Sequence, residues 1–106
     1  MRHINVVELN ELMESTGEKP LLLDVREPWE FAICQIDDTT LIPMRQIPEA
    51  IDKLDPDQQT IVICHTGMRS QQVCIYLEHM GFTNVWNLTG GVHAWAVQID
   101  RTMATY

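Results

Sequence analysis

Basic residues are scarce in this sequence. Lysine and arginine total 7 against 15 aspartates and glutamates, a formal net charge of −8 over 106 residues, and no cluster of them makes a basic patch. Binding a polyanion depends first on such a patch, so nucleic acid is not an expected partner. The same field repels small anions, and an anionic substrate therefore needs a locally positive pocket. Long hydrophobic runs are missing as well. None approaches the roughly 20 residues of a membrane helix, and Met1-Arg2-His3-Ile4-Asn5 lacks the apolar stretch of a secretory signal. The expectation is a soluble, cytoplasmic protein with no membrane partner. Cysteine occurs only as Cys34, Cys64 and Cys74, an odd number without paired spacing, which favours reduced thiols over a disulfide frame. His3, His79 and His93 show no metal-ligand spacing with one another or with the cysteines, so no metal is expected. No other cofactor is implied. Repeats, low-complexity tracts and linkers are also absent.

What remains is ordinary globular material. Hydrophobic residues make up 45% and charged residues 21%, which sets aside disorder, collagen-like and coiled-coil structures. The length allows one core, read as a single domain over residues 1–106. Asn5 as N-cap, Glu8 three positions on, and Leu9, Leu12 and Met13 at helical spacing predict a helix, with Ile4 and Leu9 as its hydrophobic staple. Gly17 and Pro20 stop it. Leu21 to Val25 is then a short, nearly continuous apolar run, the pattern of a buried parallel strand.

Pro28 opens a short helix carrying Trp29, Phe31 and Ile33. A weak strand, Thr40 to Ile42, ends at Pro43. Ile47, Ile51 and Leu54 recur at helical spacing from Pro48 onward, and Asp55-Pro56-Asp57 makes a turn. Thr60 to Ile63 is the clearest strand. A helix from about Arg69 to His79 bears Val73, Leu77 and Met80 on one face and ends at Gly81. Asn84 to Leu88 is a further strand, and a last short helix surrounds His93-Ala94-Trp95. This alternation implies an α/β fold: a central, mostly parallel sheet of about four to five strands with helices on both faces. In such a fold functional groups collect beyond the carboxyl ends of the strands.

One loop stands out on that ground. Cys64 lies at the carboxyl end of the Thr60 to Ile63 strand and just ahead of a helix. Unpaired N–H groups at the helix start, with the positive end of its dipole, favour an anion there, a thiolate included. Arg69 adds a full positive charge. Gly67 takes backbone angles that a side chain would forbid, so the loop from Cys64 to Arg69 can curl its N–H groups toward one centre. Thr66 offers a hydroxyl donor. Whether His65 points into the pocket or sits on its rim is open at this level.

Cys64-His65-Thr66-Gly67-Met68-Arg69-Ser70 resembles the active-site loop of the rhodanese family. Leu23 to Phe31, Ile42-Pro43, Gly81 to Val85 and Leu88 to Trp95 are similar to the family's other motifs, in order and spacing, so that the likeness runs from about Asn5 to Gln98. The resemblance implies a rhodanese-like fold and a sulfurtransferase. Cys64 would take the outer sulfur of a donor such as thiosulfate, expel sulfite, and hold a persulfide. A nucleophilic acceptor, whether cyanide, a thiol or a partner protein, would then remove it, in two displacement steps with ping-pong kinetics. Residues His65, Thr66, Gly67, Met68 and Arg69 would form the donor-binding cradle. The related cysteine phosphatases hold five residues between cysteine and arginine, where this loop holds four, a tighter cradle suited to one sulfur atom.

Two other readings compete: a protein-to-protein sulfur carrier with little small-molecule activity, and a rhodanese-like binding module without catalysis. The intact Cys64 and Arg69 argue against the second. The acidic surface leans toward a protein partner with a basic face. Cys74 and Cys34 are read as packing residues. Cys34 stands where the family has glycine, and Asp37 to Thr40 lack the customary proline and glycine, which puts the local loop shape in question. Asp24, Arg26 and Glu27 are read as a mutually satisfied support network, Arg45 as a residue of the pocket rim, and Trp29, Trp86 and Trp95 as core or edge packing.

Overall fold

The computed structural model describes residues 1–15 and 17–106. Five strands, β1 (Arg2–Ile4), β2 (Leu21–Asp24), β3 (Thr40–Leu41), β4 (Thr60–Ile63) and β5 (Val85–Leu88), form one sheet in the order β1-β5-β4-β2-β3, and every pairing is parallel. The helices are α1 (Val6–Glu14), α2 (Pro28–Ile33), α3 (Ile47–Ala50), α4 (Met68–His79) and α5 (Gly91–Gln98). None of them is long and apolar enough to cross a membrane.

The alternation of strand side chains divides the core. Leu22, Ile61 and Ile63 face one side with Ile4, Val6, Leu9, Leu88 and Val92, under α1 and α5. Leu23, Val25, Val62 and Cys64 face the other with Val73, Cys74, Leu77 and Phe82, against α4. Both faces are covered, which is why β2 and β4 read as apolar runs and not as alternating ones.

Local signals explain most boundaries. Asn5 accepts the Glu8 N–H at 2.8 Å while Glu8 accepts the Asn5 N–H at 3.0 Å, a complete capping box, and Ile4 and Leu9 are buried in one cluster as the staple requires. Helix α4 ends in a Schellman motif. Gly81 (φ 95°) donates to the Glu78 carbonyl and Phe82 to that of Leu77, while the Phe82 and Leu77 side chains share the core.

Some expectations are revised. Strand β1 was not foreseen: its first two residues are exposed, and it exists through its ladder with β5. The helix expected from Pro48 is broken into a 3-10 turn (Met44–Gln46), one α-turn and a second 3-10 turn (Ile51–Lys53). Met80, read as part of the apolar face of α4, is the C-cap and is 48% exposed. Trp29 is 62% exposed and not core. Cys34 needs no glycine, because its backbone is extended (φ −161°). The left-handed turn that follows is taken by Asp38 (φ 64°), a residue type that visits that region with little cost.

From β2 the chain turns through α2 to β3 on one side, and from β4 through α4 to β5 on the other. The crevice between the carboxyl ends of β2 and β4 is therefore the topological switch point of the sheet. The segments that leave it are Val25 to Glu30 and Cys64 to Ser70.

Candidate active site

Cys64 follows β4 directly, and its side chain is turned inward, with 1% of the residue exposed. Two polar groups converge on it. The Gly67 N–H reaches Sγ at 3.1 Å, and the Ser70 hydroxyl lies 3.2 Å away. Gly67 has φ 111°, a conformation costly for any other residue, which turns its N–H back toward the sulfur. Ser70 is one turn into α4 and fully buried. When Sγ is a thiol it can donate to Ser70 Oγ; when it is ionised the hydroxyl can donate to it only by rotating away from the Asn87 Oδ1 that otherwise accepts its single proton.

A residue that sequence reasoning missed holds this arrangement. Asn87, buried on β5 beside β4, accepts the Ser70 hydroxyl with Oδ1 and donates from Nδ2 to the Gly67 carbonyl at 3.2 Å. One carboxamide thus ties both sulfur-facing residues, Gly67 and Ser70, to the sheet. Its signal in the sequence was a single polar residue in the otherwise apolar strand Val85–Leu88. Asn87→Leu, of similar volume, takes one partner each from the buried Ser70 hydroxyl and the Gly67 carbonyl, which keep only Cys64 Sγ and the Gln71 N–H. It is expected to cost about 1–3 kcal/mol, read as a lower denaturation midpoint at unchanged slope.

The start of α5 clasps the same loop from the other side. Val92 N–H donates to the Cys64 carbonyl at 3.0 Å and His93 N–H to the His65 carbonyl at 3.1 Å. Backbone meets backbone here only because Gly91 has no side chain: a Cβ would lie 2.3 Å from the Cys64 carbonyl oxygen.

The remaining loop residues point elsewhere. Thr66 and Met68 are exposed, Met68 by 74%. His65 stacks on Tyr106, with centroids 4.0 Å apart, and stands edge-on to His93. Burial lowers its pKa, partly opposed by Glu30 nearby. Arg69 does not aim a free charge at the sulfur. Its Nη1 and Nη2 donate to the two oxygens of Glu30 at 2.8 and 2.7 Å. The physical reason is that Glu30 is nearly enclosed and takes the cation within reach. The Arg69 guanidinium holds the Glu30 carboxyl at about 2, against burial that would raise it, and Glu30 in turn raises the pKa of Arg69.

The support network is real, with one change of membership. Arg26 and Asp24 are both fully buried and paired through Nη2 at 2.7 Å. Arg26 also donates to the Cys34 carbonyl at 2.8 Å and to the Tyr106 hydroxyl at 3.1 Å, and that hydroxyl donates to Glu30 at 2.9 Å. Glu27 stands outside this set. It pairs with Arg45 at the surface, so Arg45 sits by the rim with its charge already matched. Glu30 and Tyr106 were the residues not foreseen. Tyr106 lies 80 positions from Arg26, and no local pattern links the two. Cys74 is fully buried, and burial pushes its thiol up to about 12, so it stays protonated and packs as an apolar residue. Among the described residues no three metal-ligating side chains come together.

The site is thus a buried cysteine at the switch point of a parallel sheet, with a backbone N–H and a hydroxyl oxygen turned on its sulfur. The chain belongs to the rhodanese-like domain family, whose model matches residues 5–98. Among its relatives, the chloroplastic rhodanese-like/PpiC domain-containing protein 12 of Arabidopsis thaliana is 36% identical over the whole of this chain, which spans 38% of that protein's length. A sulfurtransferase of Allochromatium vinosum is 36% identical over 91% of this chain and 89% of its own. The crystal structure of a rhodanese-like domain protein from Staphylococcus aureus matches with a TM-score of 0.82 at 34% identity, covering 100% of this chain and 99% of the other.

Proposed function

We propose that this chain is a sulfurtransferase that carries sulfane sulfur as a persulfide on Cys64. The observation that carries the reading is the Gly67 N–H aimed at a sulfur at the carboxyl end of β4, with the Ser70 hydroxyl beside it able to turn from Asn87 and donate once the sulfur is charged. Donors fixed in advance around a buried atom stabilise negative charge there more strongly than water-exposed ones, as oxyanion-hole donors do for oxygen. The Cys64 thiolate attacks the outer sulfur of a donor such as thiosulfate, sulfite leaves with the bonding pair, and the persulfide remains. An acceptor nucleophile, cyanide in an assay or a thiol or protein partner, then attacks the outer sulfur and frees Cys64. His65, Thr66, Gly67, Met68 and Arg69 supply the cradle through their backbone while their side chains turn away, with Arg69 clamping the loop through Glu30 rather than binding the donor as an open charge. Free thiols at Cys34, Cys64 and Cys74 suit a reducing compartment such as the cytoplasm.

The test is intact mass after incubation with excess thiosulfate. Wild type is expected to gain one sulfur atom and to lose it as thiocyanate when cyanide is added, whereas Cys64→Ser gains none. Equal gain in the variant, or none in wild type, removes the reading.

A further inference from the structure

The segment that follows α5 returns to the Cys64 loop and is tied to it by one side chain. From Ile99 it turns through local bonds, the Met103 N–H to the Asp100 carbonyl and the Thr102 N–H and hydroxyl to the Asp100 carboxylate. Ala104 and Thr105 are exposed and, among the described residues, make no hydrogen bond. Tyr106 then turns inward, half-buried against the core cluster under α1 and α5. A strap of this kind is held in place chiefly by what Tyr106 touches.

Tyr106 meets both ends of the loop from Cys64 to Arg69. Its ring stacks on His65, the residue after Cys64, with centroids 4.0 Å and planes 12° apart. Its hydroxyl donates to Glu30 Oε1 at 2.9 Å, the same oxygen that accepts Arg69 Nη2 at 2.7 Å. That hydroxyl also accepts from Arg26 Nη1 at 3.1 Å. A phenol donates and accepts through one oxygen, so it fits between a guanidinium and a carboxylate where an apolar ring cannot. Between the two ends lies Gly67, whose N–H is aimed at Cys64 Sγ.

We propose that Tyr106 is a positioning residue of this site: with its ring on His65 and its hydroxyl on Glu30 it fixes both ends of the loop, and with them the aim of the Gly67 N–H at the sulfur. Tyr106 does not itself bond to Sγ. It acts through His65 at one end and through Glu30 and Arg69 at the other. The expected effect on rate rests on Cys64 being the sulfur carrier; the positioning does not. Removing the hydroxyl strands no charge, because Arg26 keeps Asp24 and the Cys34 carbonyl, and Glu30 keeps Arg69 and the Glu27 N–H. The fold therefore survives the change, and what is lost is the fixed geometry of the loop.

The experiment compares wild type, Tyr106→Phe and Tyr106→Leu by two readouts, amide hydrogen exchange resolved by residue and steady-state transfer from thiosulfate to cyanide, both at a temperature where each protein is folded. In Tyr106→Leu the Gly67 N–H is expected to exchange at least about tenfold faster while the amides of β4 keep their wild-type rates, the mark of a local opening. Its kcat should fall about tenfold or more with KM within about twofold, because a donor displaced from the sulfur costs the transition state and not the bound ground state. Tyr106→Phe, which keeps the stack and loses the hydroxyl, should show about a threefold change in each. Phe82→Leu, beyond the far end of α4, serves as a destabilised control and should lower the denaturation midpoint while kcat and Gly67 exchange stay as in wild type. A Tyr106→Leu protein with wild-type kcat and wild-type Gly67 exchange overturns the proposal, as does a Phe82→Leu protein that loses as much of both. If Tyr106→Leu does not fold, the same wild-type result in Tyr106→Phe overturns it. If wild type transfers no sulfur, the sulfurtransferase reading fails, and Gly67 exchange alone decides the role of Tyr106.

Discussion

Gly91→Ala is expected to lower stability by about 3–5 kcal/mol and to abolish loading of Cys64 by any donor. Two costs add. Gly91 sits at φ 58°, where a residue with a Cβ is disfavoured by about 1–2 kcal/mol. The added methyl would also lie 2.3 Å from the Cys64 carbonyl oxygen and 2.5 Å from that of His65, far inside contact distance, and the neighbours are backbone that cannot swing aside. Relief requires α5 to back away from the loop, which breaks the Val92 and His93 N–H bonds to those carbonyls at about 1 kcal/mol each, more where a buried group is left without a partner. The loop that carries Sγ is then released from its clasp, and the Gly67 N–H no longer converges on the sulfur. For a domain of this length the melting temperature should fall by roughly 15–25 °C. Scanning calorimetry and the mass assay on folded protein at low temperature check the two parts separately. A Gly91→Ala protein that melts within a few degrees of wild type and loads sulfur normally would show that the close approach is not needed.

Arg26→Met is expected to cost a similar amount, about 3–5 kcal/mol, by a different route. Arg26 is the largest fully buried side chain in the molecule, and Asp24 beside it is equally enclosed. Deleting one member of such a pair leaves the other as an uncompensated buried charge, which costs far more than the net worth of the pair. The guanidinium also satisfies the Cys34 and Glu30 carbonyls and the Tyr106 hydroxyl, so three further groups lose a partner. A double variant, Asp24→Leu with Arg26→Met, removes both charges, and it should recover part of the loss, which a double-mutant cycle in denaturant measures. Additive losses in the double variant would mean that the two residues act independently. Because Tyr106 bridges Arg26 to Glu30, and Glu30 holds Arg69, the single variant should also loosen the cradle. Its sulfur loading is expected to fall even at temperatures where the protein remains folded.

Both residues belong to stretches that were legible in advance, but for different reasons. Gly91 lies in Leu88 to Trp95, one of the stretches that resemble the family's motifs, and the structure supplies the cause, a backbone crossing that leaves no room for a side chain. Arg26 was read as part of a support network with Asp24, and that pairing stands. Glu27 was assigned to the same network, but it faces outward to Arg45, because Pro28 begins α2 immediately after it. Glu30, one turn further on, is the carboxylate that α2 turns inward.

The sequence by itself determined the order of the elements from α1 onward, a mostly parallel arrangement and the place of Cys64, because these follow from local periodicity, caps and turn residues: the Asn5 capping box, the Gly81 stop, the apolar runs Leu21 to Val25 and Thr60 to Ile63, and a cysteine between strand and helix; β1, with no such signal, was not among them. Only the tertiary structure decided what surrounds that cysteine. Asn87, Glu30 and Tyr106 lie 17, 39 and 76 positions from Ser70, Arg69 and Glu30, the residues they hold, and such pairings are set by strand order and packing, which leave no periodic trace. Arg69 shows the difference most directly. In the chain it is a positive charge five residues from the sulfur; in the fold it is half of a neutral pair, because a nearly enclosed carboxylate from another segment reaches it first.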